Sequence, residues 1–157
     1  MTRLHIDRST ETQEDYVYID SPTALQLRQS IEKCGVDNFT FIELTGIWRE
    51  KQHDIKSRLF FTRAIKNRFR VLHDIFIGTD HYNRWTSDLS VTTPEKRLPI
   101  VLGNGELSYC KMKNLVDIEV ANKIAVQFVQ HGTFPEEVNW YHPPDFQRYI
   151  DSLDTSQ

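Results

Sequence analysis

Apolar residues recur at helical spacing in two stretches of this chain and in short alternating runs elsewhere. Ala24, Leu27, Ile31 and Cys34, with Leu25 beside them, outline one amphipathic helix. Ser21 and Pro22 stand before it as cap and first helical residue, and Gly35 follows as a left-handed stop. A second stripe runs through Ile118, Ala121, Ile124, Ala125, Phe128 and Val129, opened by Asp117 and closed by Gly132. Glu119, Asn122, Lys123, Gln127 and Gln130 lie off that stripe and are expected to face water.

Strand patterns occupy residues 16–19, 38–44, 58–65, 69–77, 98–102, 106–112 and 137–141, where Val, Ile, Phe and Tyr alternate with polar neighbours. Thr45-Gly46 reads as a break. Residues 47–57 and 78–94 read as polar loops that carry aromatic residues. Lys66-Asn67-Arg68 and Asn104-Gly105 are short hairpin connections. The ends, 1–15 and 145–157, read as loose. The first is a free arm or an edge strand, and the second a polar tail with a helical turn around 146–150. The expected fold is a single α+β domain over residues 1–157, an antiparallel sheet with two main helices packed on one face.

Charge changes this picture in one place. Residues 47–70 hold eight basic side chains (Arg49, Lys51, Lys56, Arg58, Arg63, Lys66, Arg68, Arg70) against Glu50 and Asp54. The remainder holds 11 basic and 20 acidic ones. A basic middle interleaved with Trp48, Phe60, Phe61 and Phe69 has the composition of a nucleic-acid contact, phosphate neutralisation plus stacking. The plainer expectation places the Phe residues on the inner sheet face and the charges on the outer one. No apolar run is long enough to span a membrane, and residues 1–16 lack the apolar core of a secretory signal. A cytoplasmic location is therefore expected, with Cys34 and Cys110 reduced and buried.

Candidate chemistry is sparse. His5/Asp7, His53-Asp54, His73-Asp74 and Asp80-His81 bring imidazole and carboxylate close in sequence, as a metal or proton relay requires. On a strand, however, His73 and Asp74 point to opposite faces and cannot share one ion. Gly103-Asn104-Gly105 lacks the following Lys-Ser/Thr and helix of a phosphate loop, and serves better as a turn. No nucleophile elbow, HExxH or paired CxxC occurs, so no enzymatic activity, metal or cofactor is expected. Trp48, Asp80, His81, Tyr82, Trp85 and Asp88, set in polar stretches, have the composition of a protein-binding surface, where Trp, Tyr and Arg dominate the energetics.

Residues 98–140 carry a recognisable pattern. Ile100-Val101-Leu102-Gly103-Asn104-Gly105-Glu106 is followed by Leu115-Val116-Asp117, then by a helix containing Ala125-Val126-Gln127-Phe128. Gly132 and the close Pro135-Glu136-Glu137-Val138-Asn139-Trp140 complete it. This pattern resembles the Imm1 family of bacterial polymorphic-toxin immunity proteins, and Asp20-Ser21-Pro22, a helix and residues 39–44 fit more loosely. The resemblance implies a non-enzymatic antidote that binds and occludes a cognate toxin domain, a nucleic-acid deaminase or nuclease. It also implies that the shared residues are scaffold and that variable segments carry specificity. The alternative expectation is a small nucleic-acid-binding module built on Arg49 to Arg70.

Overall fold

The computed structural model describes residues 2–9, 14–34, 39–50, 53–64, 67–101 and 106–155. Gly35 and the Gly103-Asn104-Gly105 turn, both assigned roles above, lie outside the described residues, as do Lys51 and Lys66. The elements are, in order, β1 (Thr2–Ser9), β2 (Glu14–Asp20), α1 (Ala24–Lys33), β3 (Phe39–Glu50), β4 (His53–Ala64), β5 (Arg68–Ile77), β6 (Asp80–Ser87), β7 (Arg97–Val101), β8 (Leu107–Lys111), β9 (Val116–Asp117), α2 (Ile118–His131), β10 (Asn139–Tyr141) and α3 (Pro144–Thr155). The strands form one sheet in the order β10-β6-β5-β4-β3-β1-β2, with β7 joined to β4 and β8, and β9 to β5. Every pairing is antiparallel. The fold is α+β, as expected, with three helices where two had been read.

Strand alternation explains the core. On β4, Ile55, Leu59 and Phe61 point to one face. On β5, Phe69, Val71 and Ile75 join them, and Leu4, Ile6, Ile42 and Leu44 extend the same face across β1 and β3. Leu27, Ile31 and Cys34 of α1 and Ala121, Ile124, Ala125 and Phe128 of α2 cover this face in one cluster. Phe146 and Tyr149 of α3 cover its far end over Ile55 and Ile75. All three helices therefore lie on the same side. Asn122 is buried among the α2 residues rather than facing water.

Several local readings are corrected. The N-terminal residues form β1, which is interior, between β2 and β3, and not an arm or an edge. The polar tail is the 12-residue helix α3, anchored by Phe146 and Tyr149. Thr45-Gly46 does not break its strand, because Gly46 pairs with Ser57 and the segment read as a loop is the β3–β4 hairpin. The first half of the second loop is β6, reached from β5 through Gly78 at φ 59. Asn67 takes φ 56 in the β4–β5 connection, one of the few non-glycine residues that tolerate that region.

The start of α1 also differs from the expectation. Ser21 adopts φ 48 and donates its N–H to Thr2 O at 2.8 Å, so it shapes the turn out of β2. The cap is Thr23. Its Oγ1 accepts from the Gln26 N–H at 3.2 Å, and Gln26 Oε1 accepts from the Thr23 N–H at 2.9 Å, a reciprocal capping box. Thr23→Ala is expected to cost about 0.5–2 kcal/mol, read as a lower urea midpoint, with no change if the cap is energetically idle. At α2 the expectation holds: Asp117 accepts from the Val120 N–H at 2.9 Å, and Gly132 ends the helix at φ 67.

Candidate interaction surface

Among the described residues, no α-helix lies on the face opposite the three helices. Its middle is crossed by a register row that runs through seven strands: Tyr18, His5, Glu43, Phe60, Leu72, Trp85 and Tyr141. At ~4.8 Å between neighbouring strands this row is roughly 29 Å long, the span of an ordinary protein–protein contact. Tyr18 is 59% exposed and Tyr141 47%, and the members between them are half-buried. Trp85 packs on Tyr141 with ring centroids 4.8 Å apart, and His5 stacks on Tyr18 at 4.6 Å. The expectation that Phe faces inward therefore fails at Phe60. Alternation sends Phe61 to the core and Phe60 outward beside Arg58.

Cations surround this row. The Arg58 guanidinium lies 4.6 Å from the Phe76 ring centroid and 5.1 Å from that of Phe60, and it pairs with Asp74 at 3.3 Å. His81 stacks on Phe76 at 4.4 Å and reaches Asp74 at 3.1 Å. Asp74 thus sits under its neighbours and is buried although its face carries no helix. Lys56 is exposed in the next register position. At one end of the face the β7–β8 hairpin covers Ala64, forming a small second core with Leu98, Ile100, Cys110 and Leu115.

The residues expected to form an interface are only partly brought together. His81 and Trp85 lie on the uncovered face. Asp80 is exposed at the start of β6. Tyr82 points the other way and packs on Tyr149, ring centroids 5.0 Å apart. Asp88, just past β6, pairs with Arg68 at 3.2 Å and accepts from both the N–H and the hydroxyl of Ser90. Those donors hold its carboxyl below the usual range against the opposing effect of burial. Trp48 lies on β3 opposite Ile55, and its side chain falls outside those described. Leu72 and Tyr141 were not anticipated, and Phe60 was expected only as a core residue or a nucleic-acid contact. Their signal was an apolar residue at the outward position of an alternating run.

On the helix side, Arg84 occupies an aromatic cage. Its guanidinium carbon lies 4.4 Å from the Trp140 ring centroid, 5.0 Å from Phe146 and 5.1 Å from Phe134. Burial pushes its pKa down to about 10, so it stays charged at neutral pH. Its Nε–H donates to His73 Nδ1 at 3.1 Å, and Nη1 lies 3.4 Å from His142 Nε2. Arginine only donates, so both imidazole nitrogens accept and both rings are neutral. His73 then carries its proton on Nε2, 3.3 Å from Ser57 Oγ. The cage ties β10 and α3 to β6, and it gives the closing Trp140 a structural role.

Burial, then the Arg84 charge, lowers the pKa of both His73 and His142, in His73 well below its ordinary value. A base depressed in the folded state binds fewer protons than in the unfolded chain. Its contribution is thus intact above about pH 6.5 and is lost as pH falls from there toward the folded-state value. For His73 the slope is up to about 1.4 kcal/mol per pH unit. Stability in urea is expected to decline between pH 7 and 5, with the His73 ring signal in NMR not titrating. A His73 resonance that titrates near 6.5 contradicts this.

The remaining chemistry is quiet. Burial pushes the Cys34 thiol up to about 12 and raises that of Cys110, so both are poor nucleophiles near neutrality. His73 and Asp74 take opposite faces, as alternation demanded. Among the described residues no group of three or more His, Cys, Asp or Glu is placed to hold a metal ion. No helix among them is long and apolar enough to cross a membrane. Compared with protein-family models, curated proteins and solved structures, the chain matches none.

Proposed function

We propose that this protein is an immunity protein that binds a cognate toxin domain through its uncovered sheet face. The observation that carries this reading is the continuous row Tyr18–His5–Glu43–Phe60–Leu72–Trp85–Tyr141. It offers aromatic side chains on rigid strands, where hot-spot residues act best because little side-chain entropy is left to lose. The resemblance at residues 98–140 supplies the toxin as partner. Its shared features have structural roles here, as scaffold residues should: Asp117 a cap, Gly132 a helix end, Trp140 part of the cage. Charge divides the face. Lys56 and Arg58 favour an acidic toxin surface on the β4–β6 half. Glu43, on the β1–β3 half, is the side suited to a basic substrate cleft. Co-expression with the toxin genes adjacent to its own is the test. One of them should be neutralised and should co-purify with this chain, and failure of both with every adjacent toxin sinks the reading.

A nucleic-acid-binding module is the second reading. It is favoured by one observation, that Arg58 sandwiched by Phe60 and Phe76 shares the uncovered face with Trp85. Stacking plus phosphate neutralisation predicts binding of single-stranded DNA that weakens steeply with salt. A flat fluorescence-anisotropy titration at low salt removes it.

A further inference from the structure

We infer that the cleft between β5–β6 and the β7–β8 hairpin is a binding site for a phosphate carried on a planar aromatic ring, as in a nucleoside 5′-monophosphate. The cleft holds ≈ 350 Å³ and is walled by Arg70, Arg97 and Lys111, by Trp85 and Tyr109, and by Leu72. That volume suits a small ligand of this class, and the lining combines apolar walls with a few convergent polar groups. Among the described residues no carboxylate lines it.

Two of the three cations, Arg70 and Arg97, are left in need of an anion. Arg70 rises from β5, and its Nε is buried with no hydrogen-bond partner. Its side chain meets the Cys110 thiol, which burial keeps neutral and which therefore supplies no counter-charge. Among the described residues neither Arg70 nor Arg97 has a carboxylate partner. Lys111 is held at 2.6 Å by Glu95, which also takes Lys113 at 2.7 Å. A guanidinium gains most from a planar or tetrahedral oxyanion that accepts two of its N–H groups, and two guanidinia at one cleft favour a doubly charged phosphate over a single carboxylate.

The aromatic walls select what carries the phosphate. Trp85 is held on its strand and backed by Tyr141, so it is pre-positioned as a stacking surface. Tyr109, 58% exposed, stands on β8 across the cleft. A base between these rings, with its phosphate on the arginines, would use every wall. This inference is independent of the toxin reading, since toxin rescue and nucleotide binding are measured separately.

Calorimetric titration of the full chain at low salt with AMP, GMP, CMP and UMP tests it, alongside adenosine, inorganic phosphate and glutamate. At least one nucleotide is expected to bind with sub-millimolar affinity. Adenosine, phosphate and glutamate should each bind at least about tenfold more weakly. Arg97→Gln and Tyr109→Leu alter exposed side chains and should leave the melting temperature in place while each weakens the nucleotide about tenfold. Absence of nucleotide binding at millimolar concentration overturns the inference. So does phosphate or glutamate binding as tightly as the nucleotide, or unchanged affinity in both folded variants.

Discussion

Phe128→Ala is expected to lower the unfolding free energy by about 3–5 kcal/mol, the range for truncating a buried aromatic. Phe128 is 1% exposed, near the end of α2, and belongs to the cluster joining α1, α2 and five strands. Its ring stacks on Phe134 at 5.8 Å, and Phe134 in turn meets Trp140 edge-on at 5.1 Å. Truncation therefore opens a cavity where the main core meets the Arg84 cage. Neighbours fixed on a sheet cannot collapse to fill it, which places the cost toward the upper end. Against a total of about 5–15 kcal/mol for a typical domain, such a loss brings the protein close to unfolding. Urea melts would show it, with Leu25→Ala as the control, because Leu25 is 63% exposed. A loss below about 1 kcal/mol for Phe128→Ala would mean that the α2 stripe is not the core.

On the proposed immunity reading, Trp85→Ala is expected to weaken toxin binding by more than about 2 kcal/mol, at least a thirtyfold rise in Kd, while the fold survives. The reasoning is positional. Trp85 is the last but one member of the uncovered row, is braced by Tyr141, and is half-buried before any partner arrives. A partner that completes its desolvation gains apolar area without having to order a flexible side chain. Trp140, one residue before Tyr141, makes the useful comparison, since it faces the helices and belongs to the cage. Trp140→Ala should lower the melting temperature, and Trp85→Ala should lower affinity. Calorimetry with the purified toxin domain and thermal melts of both variants separate these effects. A Trp85→Ala protein that binds as before removes this residue from the interface. One that unfolds makes it part of the core.

The sheet was partly legible for a specific reason. Where one strand face is apolar and the other polar, alternation announces itself, as in β5, and the helix stripes with Asp117 and Gly132 announced α2. β6 hides the signal by inverting it. Its inward residues are Tyr82, Arg84 and Thr86, and its outward ones include Trp85. An inward arginine is acceptable only because Phe134, Trp140, His142 and Phe146 arrive from β10, α3 and the segments beside them, and His73 from β5. In sequence, that strand reads as a polar loop with stray aromatics. Gly46 similarly suggested a break, because glycine weakens an isolated strand. In the sheet its pairing with Ser57 on one side and Thr2 on the other outweighs that cost. Of α3 only a turn around 146–150 was legible, because Phe146 and Tyr149 give too short a stripe to fix a longer helix without the surface they cover.

What the sequence determined alone was the class of the fold, the apolar stripes of α1 and α2, the cap and end of α2, and the separation of His73 from Asp74. These rest on spacing within one element, where each residue's direction follows from 3.6- or 2-residue periodicity. Tertiary structure decided which strands neighbour each other, which face the helices leave open, and which distant residues meet there. Arg70 and Arg97 share a cleft although 27 positions apart, and Tyr18 and Tyr141 end one row although 123 apart. No local pattern encodes such meetings. They arise because burying the apolar face under three helices fixes the sheet register, and the register then assembles the opposite face.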